Sequence, residues 1–240
     1  MPYSQITPVI GLPQQGYVNS VDLVQKNILG TTVMAVDNYF GFGEFKYVQF
    51  PAGAAITQGQ VVTWSGFGGS AGYSAAVAAN TANTGRPIGI AINSVANLGV
   101  VQYGWIQITG QAVIKAAASV AAGSAFGIDA TTGGSVNANS AGRQVLNAVV
   151  SAASTLTVVK TAQLTNGSPV ITVSDTAGWV PGLTASGTGV SGTILLVDPD
   201  NRRVTLSANA TTGGASSVTM TYTGFIVATI DRSFLQGAIT

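Results

Sequence analysis

Turn signals recur in this chain at intervals of about 8 to 12 residues, and this spacing constrains the fold more than any other feature. There are 31 glycines among the 240 residues. Between them lie short runs rich in Val, Ile and Thr, such as residues 60–64 and 104–110. Residues 104–110 alternate in polarity with period two, as a half-buried strand does. The pattern predicts an all-β fold, with a compact barrel or sandwich as the main domain.

The set of side chains present argues against catalysis. The chain has no histidine and no cysteine, and Glu44 is its single glutamate. Proton transfer near neutral pH relies on His or on tuned Asp, Glu, Lys or Cys, and soft-metal sites rely on Cys or His. We therefore expect no enzyme activity, no catalytic residues, no metal and no cofactor, and a protein that works through shape and surface.

The charge balance narrows the choice of partners. Charged residues make up 7% of the chain and the net charge is +1, so no electrostatic field would attract nucleic acid. A membrane-spanning helix needs about 20 consecutive apolar residues, and the most apolar stretch, 145–159, is interrupted by Asn, Ser and Thr. Residues 1–5 lack the basic start of a signal peptide. We expect no nucleic-acid or membrane partner, and synthesis in a host cytoplasm without export.

Composition divides the chain into three pieces. Residues 1–45 are predicted to be an extended N-terminal arm, because Pro2, Pro8 and Pro13 disfavour helix. Within this piece, residues 18–29 fit either one short helix or a strand. Residues 46–157 and 224–240 are predicted to form the main barrel. Residues 158–223 are predicted to be a second, small β domain inserted into it.

Aromatic residues cluster at the end of the arm. An extended segment followed by aromatics suits a chain that lies across another subunit, so we predict a capsid or subunit interface at Tyr17, Tyr39, Phe40, Phe42 and Phe45. The alternative is an edge strand with ordinary core aromatics, since buried aromatic rings normally fill cores.

Two glycine-rich motifs match signatures of catalytic or nucleotide-binding proteins. Residues 187–192, GTGVSG, match the dinucleotide fingerprint, but a strand is predicted after them where that motif requires a helix. Residues 68–72, GGSAG, match the nucleophile elbow, but the chain has no histidine to serve as the base. A glycine-rich turn and a loop are the favoured interpretations.

Two further groups of residues have a functional and a structural interpretation. Asp198, Asp200 and Asn201 resemble the start of a calcium loop, but the Gly and the acid that should follow are missing, so a turn between two strands is favoured. Trp64, Trp105 and Trp179 could stack on sugars, but they lie in or beside strands, which favours packing.

Four segments carry a resemblance to a known family: AAITQGQVV at 54–62, GRPIGIA at 85–91, GWIQITGQA at 104–112 and AAGSAF at 121–126. Together, residues 51–134 resemble the capsid decoration (cement) proteins of tailed bacteriophages. Residues 164–223 resemble a different phage-associated β module, on TNGS at 165–168, GWVPG at 178–182, GTGV at 187–190 and VTLS at 204–207.

The resemblance implies a function. Members of the family are compact β-barrels on the capsid exterior, often trimers, that lock neighbouring capsomers together. We therefore expect a virion structural protein whose partners are the major capsid protein and further copies of itself. The alternative is a head fibre, spike or tail component that binds host-surface glycans through residues 158–223.

Overall fold

The computed structural model describes residues 21–65 and 72–238, together with the backbone of residues 4 and 5. This part of the chain forms strands and no helix, which confirms the prediction of an all-β fold. Residues 18–29 are predicted to be one short helix or a strand. The part of them that the structure describes contains only the two-residue strand β2. The strands are β1 (Ser4–Gln5), β2 (Val21–Asp22), β3 (Thr32–Asp37), β4 (Gly41–Phe50), β5 (Val61–Ser65), β6 (Ser74–Val77), β7 (Ile88–Ala91), β8 (Gln102–Gln107), β9 (Thr109–Lys115), β10 (Phe126–Ile128), β11 (Val136–Ala138), β12 (Val145–Ala152), β13 (Thr157–Leu164), β14 (Val170–Val173), β15 (Thr184–Gly187), β16 (Val190–Asp198), β17 (Arg203–Leu206), β18 (Gly214–Thr221) and β19 (Phe225–Leu235).

The first eight strands form one sheet that curls back on itself. Their order is β1-β3-β4-β6-β5-β7-β8-β2, and a further pairing of β4 with β8 closes β4, β6, β5, β7 and β8 into a ring, the first barrel. The side chains of Phe45, Tyr47, Val48 and Phe50 on β4 are buried. Because β3 and β4 pair antiparallel from Thr32 to Lys46, residues 32–45 of the segment predicted as an arm form a hairpin of this sheet.

A three-stranded sheet, in the order β12-β19-β9, packs beside the first barrel. Its central strand β19 comes from the C-terminal end of the chain and pairs along its length with β9, from Phe225 opposite Lys115 to Asp231 opposite Thr109. Ile114, Phe126, Ile226 and Ala228 are fully buried in the apolar cluster under this sheet. The C-terminal strand thus lies between two strands that precede residue 153.

Strands β13–β18 form a second closed barrel, in the order β13-β14-β17-β16-β15-β18 with β18 paired back to β13. Each of these strands pairs only with others of the same ring among the described residues. Ile171, Trp179, Leu183 and Met220 are fully buried inside it or at its end. The chain enters this barrel after β12 and leaves it before β19, and because β12 and β19 pair with each other, both connections start from one place in the three-stranded sheet.

The local turns follow the chemistry expected from the sequence. The GTGVSG motif is the hairpin between β15 and β16, with Gly187 opposite Val190, so a strand follows it rather than a helix. The turn from Asp198 to Asn201 joins β16 to β17, and the carboxylate of Asp198 accepts hydrogen bonds from the backbone and side-chain nitrogens of Asn201. The nucleophile-elbow match at 68–72 lies largely outside the described residues.

Candidate functional site

The predicted interface aromatics have different environments. Tyr17 lies outside the described residues. Phe45 is completely buried and Phe40 is 4% exposed, whereas Tyr39 is 44% and Phe42 is 62% exposed. Alternation along β4 accounts for part of this result, because Phe45 points into the core and Phe42 points outward. Of the four described aromatics, only Tyr39 and Phe42 present much surface to a partner.

The turn between β3 and β4 is held by a buried carboxylate. Oδ1 of Asp37 accepts hydrogen bonds from the backbone nitrogens of Tyr39 (2.7 Å) and Phe40 (3.0 Å). Its Oδ2 is buried and has no hydrogen-bond partner among the described residues. Burial raises the pKa of Asp37 above its ordinary value, and the two backbone hydrogen bonds oppose this shift. Oδ1 of Asp37 therefore positions Tyr39 and Phe40, while Oδ2 of the same buried carboxylate is left without a hydrogen bond among the described residues.

This turn touches the second barrel. The ring of Tyr39 lies directly over the Cα of Gly178, where any side chain would collide with it. The ring of Phe40 meets the edge of Tyr222 at a centroid distance of 6.5 Å, and Oη of Tyr222 donates to the carbonyl of Gly178 at 2.7 Å. Tyr39 and Phe40 thus take part in a contact within the chain, between the β3–β4 turn and the second barrel.

One end of the first barrel carries a cluster of exposed apolar side chains, which we call the apolar rim: Leu23, Val24, Leu98, Val100 and Val101, exposed by 62%, 72%, 39%, 53% and 36%. Because β2 and β4 both run antiparallel to β8, the residues after β2 and after β4 lie at the same end as those before β8. The hydrogen bond from the nitrogen of Gly53 to the carbonyl of Leu98 (2.6 Å) joins two of these loops.

Two of the loops at this end of the first barrel are also free of charge. Residues 51–59 and 93–101 contain no Asp, Glu, Lys or Arg. The nearest charged residues on the β2 side are Asp22 and Lys26, which bind each other at 2.6 Å. Grouped exposed apolar side chains without charge are typical of surfaces that contact another protein, because water solvates them poorly.

A second surface feature lies on the flank of the first barrel. Thr32, Lys46, Trp64, Pro87, Ile108 and Arg232 line a cleft of about 310 Å³, which we call the Trp64 cleft. Its residues come from distant parts of the chain, and the backbone joins them: the nitrogen of Arg232 donates to the carbonyl of Ile108, and the nitrogen of Ile108 donates to the carbonyl of Glu44. The guanidinium of Arg232 binds the carboxylate of Glu44 at 3.1 Å.

The three tryptophans do not form a common platform. Trp105 is 3% exposed and packs against Tyr47 at a centroid distance of 5.0 Å. Trp179 is fully buried at the second barrel, and its Nε1 has no hydrogen-bond partner among the described residues. Trp64 alone of the three is partly exposed, in the Trp64 cleft. Of the three tryptophans, the one available to a ligand is therefore Trp64, on the first barrel.

Two features are absent from the residues that the structure describes. Across 21–65 and 72–238, no three acidic residues gather into a group that could hold a metal ion. The same residues contain no helix with the length and apolarity needed to cross a lipid bilayer. The carboxylate of Asp175 binds the amine of Lys160.

No protein-family model, curated protein or solved structure matches this chain. Sequence reasoning missed both the apolar rim and the Trp64 cleft. The absence of charge in 51–59 and 93–101 was a signal for the rim, but no local pattern links positions 46, 64 and 232.

Proposed function

We propose that this chain is a virion structural protein that decorates and stabilises an icosahedral capsid. In this proposal the apolar rim docks on the major capsid protein at the capsid exterior and bridges neighbouring capsomers. The observation that carries the proposal is the rim itself, a cluster of five exposed apolar side chains at an end of the barrel where the loops 51–59 and 93–101 lack charge. The resemblance of residues 51–134 to phage decoration proteins supplies the identity of the partner.

The energetics of such docking are those of apolar burial. Fully burying a Val or Leu side chain contributes about 1.5–3 kcal/mol, and Val24 and Leu23 still have most of their surface to bury. A standard protein interface buries about 1,600 Å². Three copies around one axis, which the resemblance implies, would bind multivalently, so that modest individual contacts give near-permanent attachment.

The second barrel has a different place in the proposal. Both of its connections leave the three-stranded sheet at the paired strands β12 and β19, so it is attached as an insert and the first barrel can dock without it. We assign it the outward side of the decorated capsid. The alternative function, a fibre, spike or tail component that binds glycans through residues 158–223, loses support because Trp179, the tryptophan of that segment, is fully buried.

The test begins with particles. Quantitative mass spectrometry of purified virions should give a ratio of this chain to the major capsid protein of the same order as unity. A few copies per particle would instead indicate a fibre, spike or tail part, and absence from particles would end the virion proposal.

Variants then test the docking surface. Val24→Asp and Val100→Asp place a charge on the rim, and each should weaken capsid binding at least about tenfold, because about 1.5 kcal/mol or more of apolar burial is lost. The matched control is Val159→Asp, a valine of the second barrel with 58% exposure. Capsid binding that falls equally in the control and the rim variants would contradict docking through the rim.

A further inference from the structure

The Trp64 cleft has an unbalanced charge. Two of the chain's nine basic residues line it, Lys46 and Arg232, and only Arg232 is paired, with Glu44. The amine of Lys46 lies 5.4 Å from the ring centroid of Tyr73, and no carboxylate of the described residues is within ion-pair distance of it. Burial, followed by repulsion from Arg232, lowers the pKa of Lys46, and the carboxylate of Glu44 opposes this shift. A further negative group in the cleft would stabilise the charged form of Lys46.

The walls of the cleft are mainly apolar. Trp64, Pro87 and Ile108 supply ring and aliphatic surface, and Thr32 is the one uncharged polar side chain among the six lining residues. A saccharide carries several hydroxyl groups on each ring, and each of them needs a hydrogen-bond partner when it is buried. Among the lining side chains Lys46, Trp64 and Arg232 only donate, and the hydroxyl of Thr32 alone can accept. An anionic group, which only accepts, attached to an apolar body therefore fits the lining better than a neutral saccharide.

An exposed apolar surface continues from the cleft along the β3–β4 hairpin. Thr32 lies opposite Lys46 and Met34 lies opposite Glu44, so these side chains share the outward face of the hairpin. Met34 is 42% exposed and Phe42, on the same face, is 62% exposed. A ligand with a carboxylate at Lys46 could therefore place a neighbouring apolar side chain on Met34 or Phe42.

We propose that the Trp64 cleft binds a carboxylate-bearing peptide segment of a partner protein, with an apolar residue next to the acidic one. The carboxylate accepts a charge-assisted hydrogen bond from the amine of Lys46, and the apolar neighbour packs on Trp64 and on the outward face of β3 and β4. The proposal rests on the proposed function only in taking the partner to be a protein. The proposal gives the chain a second contact with a partner, made by the partner's acidic residue, on a surface different from the apolar rim.

Trp64 itself reports on binding, because Trp105 and Trp179 are 3% and 0% exposed. The probes are two capped tripeptides, Phe-Glu-Phe and Phe-Gln-Phe, which differ only in the charge of the central side chain. Titrated into the full chain, the glutamate peptide should change Trp64 fluorescence and bind about tenfold or more tightly than the glutamine peptide, the range expected for a hydrogen bond to a charged group. In the wild-type chain, iodide should also quench Trp64 fluorescence more strongly than caesium does.

Lys46→Gln should reduce binding of the glutamate peptide to the level of the glutamine peptide. Lys115→Gln, which removes a lysine outside the cleft, should leave the preference intact, and far-UV circular dichroism checks that both variants fold. Equal binding of the two peptides to the wild type, or no fluorescence response to either, overturns the proposal. Tighter binding of glucuronate than of the glutamate peptide overturns it in favour of a saccharide. A Trp64 signal that depends on protein concentration without peptide overturns it in favour of a second copy.

The two proposals fail separately. A chain that is abundant in virions but has no preference for the glutamate peptide refutes the acidic contact and leaves decoration standing. A chain that is absent from virions but prefers the glutamate peptide refutes decoration and leaves the cleft as a peptide site.

Discussion

The hydroxyl of Tyr222 offers a direct test of one hydrogen bond within residues 158–223, beside their contact with the β3–β4 turn. Tyr222 is fully buried, and its Oη donates to the buried carbonyl of Gly178 at 2.7 Å. Tyr222→Phe removes this hydrogen bond and keeps the ring, so the edge contact with Phe40 at 6.5 Å survives. The variant therefore removes the hydrogen bond to Gly178 and leaves the ring in place.

The expected loss of stability is about 1–3 kcal/mol, because the carbonyl of Gly178 stays buried and loses this donor. The change in shape should alter this loss of stability little, because Phe has nearly the same volume as Tyr and needs no repacking. The free energy of unfolding should be measured by urea denaturation at neutral pH, followed by circular dichroism and by tryptophan fluorescence. Trp179 lies next to Gly178 in the sequence and reports on this region.

Tyr103→Phe is the matched control. Tyr103 is partly buried and its ring stacks on Tyr47 at 6.5 Å, so the substitution again keeps the ring contact. It should change stability by less than about 0.5 kcal/mol, as is usual away from a specific interaction. If Tyr222→Phe is no less stable than Tyr103→Phe, the hydrogen bond to Gly178 does not stabilise the second barrel.

Three further predictions follow from single features of the structure. Because burial raises the pKa of Asp37 above its ordinary 3.8, the folded state takes up a proton more readily than the unfolded state. Relative to Asp37→Asn, the wild type should therefore gain stability as pH falls from neutral to about 4 and gain no more below that; a pH-independent difference between the two unfolding free energies would refute this. Gly110 has φ of +90° and packs against the carbonyl of Phe42, so Gly110→Ala should destabilise the protein by about 1–3 kcal/mol, whereas Gly123→Ala, at a positive φ but in open space, should cost less in the same thermal melts. Capsid binding through the apolar rim should change little between low and high salt, because few charges there can be screened; a steep loss of co-sedimentation with salt would contradict docking through the rim.

Many elements of the fold could be predicted from short stretches of sequence. The turn at 198–201 is predicted from its Asp and Asn residues, and the structure has it between β16 and β17. Several strands were missed, among them β6 and β13. β6 is four residues of Ser, Ala and Val, and β13 mixes Thr, Lys and Gln with its apolar residues. Their strand character depends on pairing with β5 and β18 more than on composition.

The candidate site was much less predictable. Aromatic residues at 39, 40, 42 and 45 looked alike in the sequence, but the structure buries Phe40 and Phe45 and exposes Tyr39 and Phe42. Phe42 and Phe45 differ because they point to opposite faces of β4, whereas Phe40 packs on Tyr222, which lies more than a hundred residues away in the chain. The Trp64 cleft likewise joins Lys46, Trp64 and Arg232, which no periodicity relates.

The sequence by itself determined the class of the fold and the kind of chemistry open to the protein. Turn residues and period-two alternation act over a few residues, so they can be read locally, and the lack of His and Cys holds in any fold. Only the tertiary structure decided which strands close into which barrel, that β19 returns between β9 and β12, and which apolar side chains remain at the surface. These outcomes depend on burial between segments distant in sequence, and the physical reason is that strand pairing leaves no local mark of its partner.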